Sequence, residues 1–428
     1  MTTDRQRQRN LPQILDELAT SPYPDYIDNV LTSTAHARQR PVWTFPGRWI
    51  PMTAVTSRAA PTPRIPYRIV AVAALLLVAL ALAVAFIAGS RPRVPTPFGP
   101  AANGNVVYAS AGDIYTADPV TGVATPVITG PDDDSFPLFS RDGTHIGFIR
   151  HTATDPNTAR VYVARADGTD VVALTPDPVP NIQNFSFSPD GRSIVFAGGI
   201  YDGDHTDTLW LANTDGSGVR QLETKGLIAS APSFLPPDGA EVLFSGQEVN
   251  GPHGVYAVNV ATGAIRNVVA PTWFGLDWIA PSPEGSRIAY SGYFDAPGNT
   301  AQVHVITQAG SDLTLPMSTA GVFQDAPTWS NDGTRLVVTR GYAQDESDNV
   351  LAVVPADGSG PGRETAHGLT GCCDTDAGWA PDDQSILALP AGLNGSPSQQ
   401  LLLDPATMQT KPAPWTSDSV AAWQRAAP

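Results

Sequence analysis

A turn glycine that recurs at Gly143, Gly191, Gly239, Gly285 and Gly333, at almost even spacing, constrains this chain more than any other feature. The text around it repeats as well: Phe139-Ser-Arg-Asp-Gly143, Phe187-Ser-Pro-Asp-Gly191, Pro236-Pro-Asp-Gly239, Ser282-Pro-Glu-Gly285 and Trp329-Ser-Asn-Asp-Gly333, with Trp379-Ala-Pro-Asp-Asp383 as a glycine-free copy. A fixed period of this kind marks stacked or radial repeats, because each unit is one supersecondary element that cannot bury its apolar face alone.

Each turn precedes a short apolar run such as Ile146 to Ile149, Ile194 to Phe196 or Leu336 to Val338. A loop and a second run follow, often with an aromatic at its centre: Val161-Tyr-Val, Leu209-Trp-Leu, Val255-Tyr-Ala-Val, Val303-His-Val-Ile. Pairs such as Asp167-Gly168, Asp215-Gly216 and Asp357-Gly358 then supply the positive φ of a tight hairpin. β-Branched and aromatic residues bounded in this way predict about four antiparallel strands per repeat, one propeller blade.

Counted in this way, the chain is all-β with seven blades; six is the alternative if one repeat is degenerate. The first unit, Val106 to Ser110 followed by Ile114 to Asp118, lacks its opening aromatic strand, and Val420-Ala-Ala-Trp423 carries such a strand at the other end of the sequence. The expectation is that it pairs into the first blade and closes the ring, leaving no open edge. Two departures stand out. Pro281 occupies an aromatic slot, with Trp278 nearby, and Asp383 replaces the turn glycine.

The phrase Ser188-Pro-Asp-Gly-Arg-Ser-Ile-Val-Phe196, with its following Ile-Tyr-x-x-Asp type of strand, resembles the TolB-like, WD-repeat-like propeller family over about three quarters of the chain. The resemblance implies the architecture strongly and the function weakly, since members bind proteins, bind small ligands or carry an appended enzyme.

A second feature is the run from Ile69 to Gly89, which carries no charge. At about 1.5 Å per residue a helix of this length spans about 30 Å, the thickness of a bilayer core. It predicts a transmembrane anchor in preference to a buried core helix or a signal peptide, given the long stretch ahead of it. Residues 1–68 hold 9 Lys+Arg against 5 Asp+Glu, whereas the remainder holds 16 against 36. This charge bias places the N-terminus in the cytoplasm and the acidic propeller outside the cell, and argues against nucleic acid as a partner.

The expected organisation is therefore a small helical module at 1–52, a Pro/Ala-rich tether at 53–68, the membrane helix at 69–89, an external linker at 90–104 and the propeller at 105–428. In the first module Leu11, Ile14, Leu15 and Leu18 form one stripe, and Trp43, Phe45 and Trp49 sit among Arg40 and Arg48. Leu15, Trp43, Phe45 and Trp49 are candidate contacts for a cytoplasmic protein partner, against the alternative of a miniature self-packed core. The layout is similar to that of transmembrane anti-sigma regulators, although no zinc-ligand pattern accompanies it.

The pattern predicts no catalysis. No Gly-x-Ser-x-Gly elbow occurs, and the histidines are scattered at two per repeat or fewer. Adjacent Cys372 and Cys373 suit a loop-stiffening disulfide or an inert pair better than redox chemistry. On the face where the longer connections gather, Asp132, Asp133, Asp134, Asp202, Asp204, Asp207, Asp325 and Asp376 form the candidate binding surface for a protein or small ligand. Such carboxylates could also take calcium, although solvated acidic loops are the plainer explanation of any single cluster. The overall expectation is a membrane-anchored, extracytoplasmic binding module without catalysis or cofactor. A transmembrane signalling regulator is its alternative, and a propeller hydrolase or lactonase is a more distant one.

Overall fold

The computed structural model describes residues 75–77 and 98–427, apart from 153–154, 176–178, 181, 183, 200–207, 274, 294–300, 318–321, 343–344, 367–376, 390–397 and 420. The chain divides into two units, Met1–Arg91 and Pro92–Pro428. In the first, Leu75, Leu76 and Leu77 are helical and exposed. Among the described residues no helix is long and apolar enough to cross a membrane, and most of the 69–89 run lies outside them, as do the 1–52 module and both cysteines.

The second unit is a seven-bladed β-propeller, as the repeat count predicted. Blade 2 comprises Asp133–Phe139, His145–Thr152, Asp155–Arg165 and Val172–Ala173, with Val179–Pro180 added beside the third strand. Blades 3 to 7 begin at Phe185–Phe187, Ile228–Phe234, Leu276–Pro281, Val322–Trp329 and Ala377–Trp379, and in each the four strands pair in chain order. Blade 1 is composite: Ala422–Ala426 pairs antiparallel with Ala102–Ser110, which is followed by Asp113–Ala117 and Ala124–Ile128. The closure expected from Trp423 is therefore present, with Trp423 opposite Val106.

Period-2 alternation explains why the second strands read as continuous apolar runs. In Ser193–Gly198, Ile194 and Phe196 point into the core shared with blade 2, while Val195 and Ala197 point into the core shared with blade 4. Each blade is sandwiched between neighbours, so both faces of its middle strands are buried, whereas outer strands such as Ile265–Thr272 are half-exposed. The central aromatics of the third strands stack across the ladder on the second: Tyr108 on Tyr115, Phe148 on Tyr162, Phe196 on Trp210 and Phe244 on Tyr256, with ring centroids 5.5–6.4 Å apart. In blade 5 His304 takes that slot, stacked 5.3 Å from Tyr290 with Nδ1 3.2 Å from Asp312. This histidine is a packing residue.

The repeated Ser-x-Asp-Gly phrase is a self-capped turn. Ser188 Oγ donates to Asp190 Oδ1 at 2.6 Å, Arg192 N donates to the same oxygen at 3.1 Å, and Ser193 N returns a bond to Ser188 Oγ at 2.9 Å. Burial works to raise the Asp190 carboxyl, but these donors together hold it below the usual carboxylate range.

The glycine of the turn also lets successive blades touch. Gly285 has φ +75°, and a Cβ there would run into the carbonyl oxygen of Pro236 in the preceding blade's turn; Gly310, in a hairpin at φ +84°, would meet nothing within 4 Å. Gly310→Ala is expected to cost about 1 kcal/mol, the left-handed penalty alone. Gly285→Ala is expected to cost about 2 kcal/mol, because a backbone oxygen cannot rotate away. Urea unfolding of the two variants checks this, and equal losses would mean that the turns do not pack on one another.

Candidate binding channel

The first strand of each blade lines the axis of the ring, where a cavity of about 560 Å³ is bounded by residues of blades 1, 2, 3, 5, 6 and 7. Seven of its lining residues are aromatic, and two of the tryptophans are clamped between blades. Trp329 Nε1 donates to Ala280 O at 2.8 Å and Trp379 Nε1 to Thr328 O at 3.0 Å, each reaching the preceding inner strand. On their other side Arg287 and Arg335 lie 4.7 and 4.6 Å from the respective ring centroids.

Among the described residues, four inner strands carry a β-bulge with a left-handed residue. The register shifts between Ser135 and Leu138, Ser230 and Ser233, Asp277 and Ile279, and Asp325 and Thr328. Phe136, Ala231, Trp278 and Ala326 sit there with φ of 51°, 49°, 45° and 51°. For a bulky aromatic this conformation is an outlier that costs on the order of 1–3 kcal/mol and persists only where the surroundings enforce it. Phe136 and Trp278 are 52% and 41% exposed, and both line the cavity. The bulge re-aims an inner-strand side chain from the sheet into the channel.

At the turn end of the channel stand Arg141 and Arg425. Arg425 donates to Asn331 Oδ1 and to Gly99 O, both at 2.6 Å. The Arg141 guanidinium lies 5.2 Å from the centroid of Phe98, and Ala101 N donates to Pro381 O at 2.8 Å. The stretch from Phe98 to Ala101 is thus laid against this end of the ring by contacts to blades 1, 2 and 7. Burial, then the neighbouring charge of Arg425, pushes Arg141 down to about 10. Burial also lowers Arg425, against an opposing pull from Asp383.

Asp383 explains why the seventh turn lacks glycine. It adopts φ +59° and is 3% exposed, and its carboxylate accepts from Asn331 N at 2.7 Å, Asn331 Nδ2 at 2.9 Å and Asp332 N at 2.9 Å. One side chain therefore ties the turns of blades 6 and 7 together.

The acidic candidates are placed differently from one another. Asp133 is exposed and Asp132 half-exposed at the entry to blade 2. Asp134 is buried and bidentate to Arg150, at 2.6 and 2.8 Å; burial raises its carboxyl although Arg150 pulls it down. Asp325 accepts from Ser291 Oγ of blade 5 and from Ala326 N, so it latches two blades at a bulge. Asp202, Asp204, Asp207 and Asp376 lie outside the described residues, as do Leu15, Trp43, Phe45 and Trp49. Among the described residues no group of three or more His, Cys, Asp or Glu is placed to hold a metal ion.

Residue patterns had not singled out the channel. Its readable signal was a dipeptide: Phe136-Pro137, Ala231-Pro232 and Ala326-Pro327 each fall just before the aromatic that closes the inner strand, and a proline that removes a ladder donor marks a bulge.

A family model for the TolB beta propeller domain matches residues 136–359. Similar solved structures include TolB from Acinetobacter baumannii, 16% identical over 75% of this chain and 82% of that one, with a TM-score of 0.49. Oligogalacturonate lyase from Vibrio parahaemolyticus is 12% identical over 73% and 86%, with a TM-score of 0.52. The β-propeller domain of the Trilobed protease from Pyrococcus furiosus, described as having an open velcro topology, is 12% identical over 74% and 95%, also with a TM-score of 0.52. At such identities the likeness is one of fold. No curated protein matches the chain.

Proposed function

Since the chain belongs to the TolB β-propeller domain family, we propose that its ring is a binding module that receives a ligand in the central channel and performs no chemistry. The observation that carries this is the pair of left-handed aromatics, Phe136 and Trp278, presented into a cavity of about 560 Å³. A cavity of roughly 300–1,000 Å³ with an aromatic wall and a few polar groups is the usual form of a small-ligand site. Its polar lining supplies donors from Arg141, Asn184, Asn331 and Arg425, which suit recognition. The lyase and protease relatives share the fold alone, and their activities do not transfer. In this proposal the 69–89 run anchors the ring outside the membrane with the N-terminus in the cytoplasm.

A photo-crosslinking residue at position 278 of the full-length protein in cells tests the proposal. Adducts are expected from position 278 and absent from a control at Val120, which is 90% exposed. A Cβ at Gly378 in the channel wall meets nothing within 4 Å, so a larger side chain there narrows the channel, and Gly378→Leu should weaken the adduct. The same adducts from all three proteins would reject the channel as the site.

A second reading, a transmembrane signalling regulator whose cytoplasmic helices bind a factor, draws on the contacts of Phe98 and Gly99 with Arg141 and Arg425. The last residues of the 90–104 linker, Phe98 to Ala101, lie against the end of the channel, so occupancy and this part of the linker are physically adjacent. Deleting residues 1–52 and comparing crosslinked partners separates the two: loss of a cytoplasmic factor favours the regulator, and an unchanged set favours the anchored binding module.

A further inference from the structure

Among the described residues, three inner strands carry a tryptophan in the same register: Trp329 pairs with Leu336, Trp379 with Ile386 and Trp423 with Val106. The first two are fixed in two ways, by a bond from Nε1 to the preceding inner strand and by a guanidinium over the ring. Each guanidinium comes from one place in the repeat, since Arg287 directly precedes Ile288 and Arg335 directly precedes Leu336. It also reaches the turn of the next blade: Arg287 Nη2 donates to Gly333 O at 2.6 Å and Arg335 Nη2 to Asp383 O at 3.4 Å. Trp423 has neither fixing. Its Nε1 is buried without a hydrogen-bond partner, and among the described residues no guanidinium lies over its ring. The position that would supply one, directly before Ile386, is Ser385.

The short serine leaves a space. Ser385 and Trp423 line a cleft of about 410 Å³ between blades 7 and 1, and every residue that lines it is among those described. Trp423 is the one residue that this cleft shares with the channel. Asn103 stands three residues before Val106, as Gly333 and Asp383 stand before Leu336 and Ile386. It lies in the wall of the cleft and is fixed across the seam by Asp382 N, which donates to Asn103 Oδ1 at 3.1 Å. The backbone that a guanidinium meets at the other two seams therefore has its counterpart here. Asp118 adds an exposed carboxylate, positioned by bonds from Val120 N and Thr121 N to its Oδ1, both at 2.8 Å. Lys411 does not replace the arginine. Its register opposite Leu402 is that of Arg363 opposite Val353, and Arg363, bonded to Ala406 O, coexists with Arg335 at the seam between blades 6 and 7.

We propose that this cleft binds an alkyl guanidinium from another molecule, stacked on Trp423 and donating to the Asn103 backbone and the Asp118 carboxylate. The group is the head of arginine, carried by a free guanidino compound or by a polypeptide side chain. A planar guanidinium suits the site better than an ammonium, because it stacks on the ring face while its edge still donates hydrogen bonds. The net charge of −16 on the protein draws cations toward it.

The test uses full-length protein labelled with 5-fluorotryptophan, in which Trp423→Tyr, or Trp423→Phe if that variant does not fold, identifies the fluorine resonance of Trp423. Probes of nearly one shape are titrated at pH 7: Nα-acetylarginine amide, its citrulline analogue with a neutral ureido group, and its lysine analogue. The arginine probe is expected to shift the Trp423 resonance saturably and to bind roughly tenfold more tightly than the citrulline probe, with the lysine probe between them. An end-blocked glycine peptide with one central arginine separates the two sources. Tighter binding of the peptide than of the amide supports a polypeptide side chain, and equal binding supports a free compound. Ser385→Arg supplies the guanidinium from within the chain, so it should abolish the shift and raise the thermal midpoint by about 2 °C. Ser385→Gln stands in if the arginine variant does not fold, and should weaken binding with the midpoint level. Equal binding of the arginine and citrulline probes overturns the proposal, as does a Trp423 resonance that none of the probes moves. Binding that persists unchanged in both Ser385 variants overturns the assignment to this cleft. Trp278 does not line the cleft, so the crosslinks from position 278 decide the channel reading separately.

Discussion

Ending the chain at Ser419 is expected to lower the stability of the ring by on the order of 5 kcal/mol, through lost strand hydrogen bonds at about 1 kcal/mol each and the burial of one tryptophan at about 2 kcal/mol. The segment removed does three things. Ala422–Ala426 forms the inner strand of blade 1. Gln424 accepts from Asn105 N at 3.2 Å and donates to Gly143 O at 2.7 Å, which joins blade 1 to the turn of blade 2. Arg425 holds Gly99 and Asn331 across the turn end. Without them the Ala102–Ser110 strand presents an unpaired edge to the channel, and such edges recruit other chains. The truncated protein should therefore unfold at lower denaturant and elute partly as oligomers, and a peptide of residues 420–428 added in trans should recover part of the loss. A midpoint unchanged by truncation would mean that the closing strand contributes little to the stability of the ring.

Asp383→Gly is expected to destabilise the protein by about 4 kcal/mol, although it restores the residue that the other turns carry. Two effects oppose each other. Glycine relieves the left-handed penalty of a φ of +59°, worth about 1 kcal/mol. The carboxylate, however, accepts two backbone N–H groups and one amide of blade 6, and charge-assisted bonds of this kind contribute about 1.5–3 kcal/mol each. The loss exceeds the relief. Asp383→Asn, which keeps one acceptor oxygen and the tolerance for left-handed backbone, should fall between the two. Thermal unfolding at matched pH orders the three proteins, and a glycine variant more stable than the parent would mean that the bonds to Asn331 and Asp332 contribute little.

That comparison also marks where sequence reasoning reaches its limit. The turn glycines, the middle strands and the clasping role of Trp423 were legible because they rest on local rules: positive φ in a tight turn, period-2 alternation, and an orphan strand that needs a partner. Asp383 looked like a defect in the repeat. It serves a contact with the blade before it, distant in sequence, which no local pattern encodes. The carboxylates of Asp134 and Asp325 looked like members of an open acidic face for the same reason. Their partners Arg150 and Ser291 are brought to them by strand register and blade packing. Arg141 belongs to an early turn of the propeller and Arg425 to its last strand, and only ring closure makes them neighbours.

The sequence by itself determined the repeat, the strand-turn chemistry and the strand that closes the ring, because each follows from short-range backbone preference or from a fixed period, and the structure decided for seven blades over six. Only the tertiary structure decided what lies at the axis. The inner strands converge there from blades far apart in the chain, their bulges turn Phe136 and Trp278 into the cavity, and the closing strand carries Arg425 to Arg141. A side chain's direction at a bulge, and the charge it meets across the ring, are set by packing rather than by neighbours in sequence.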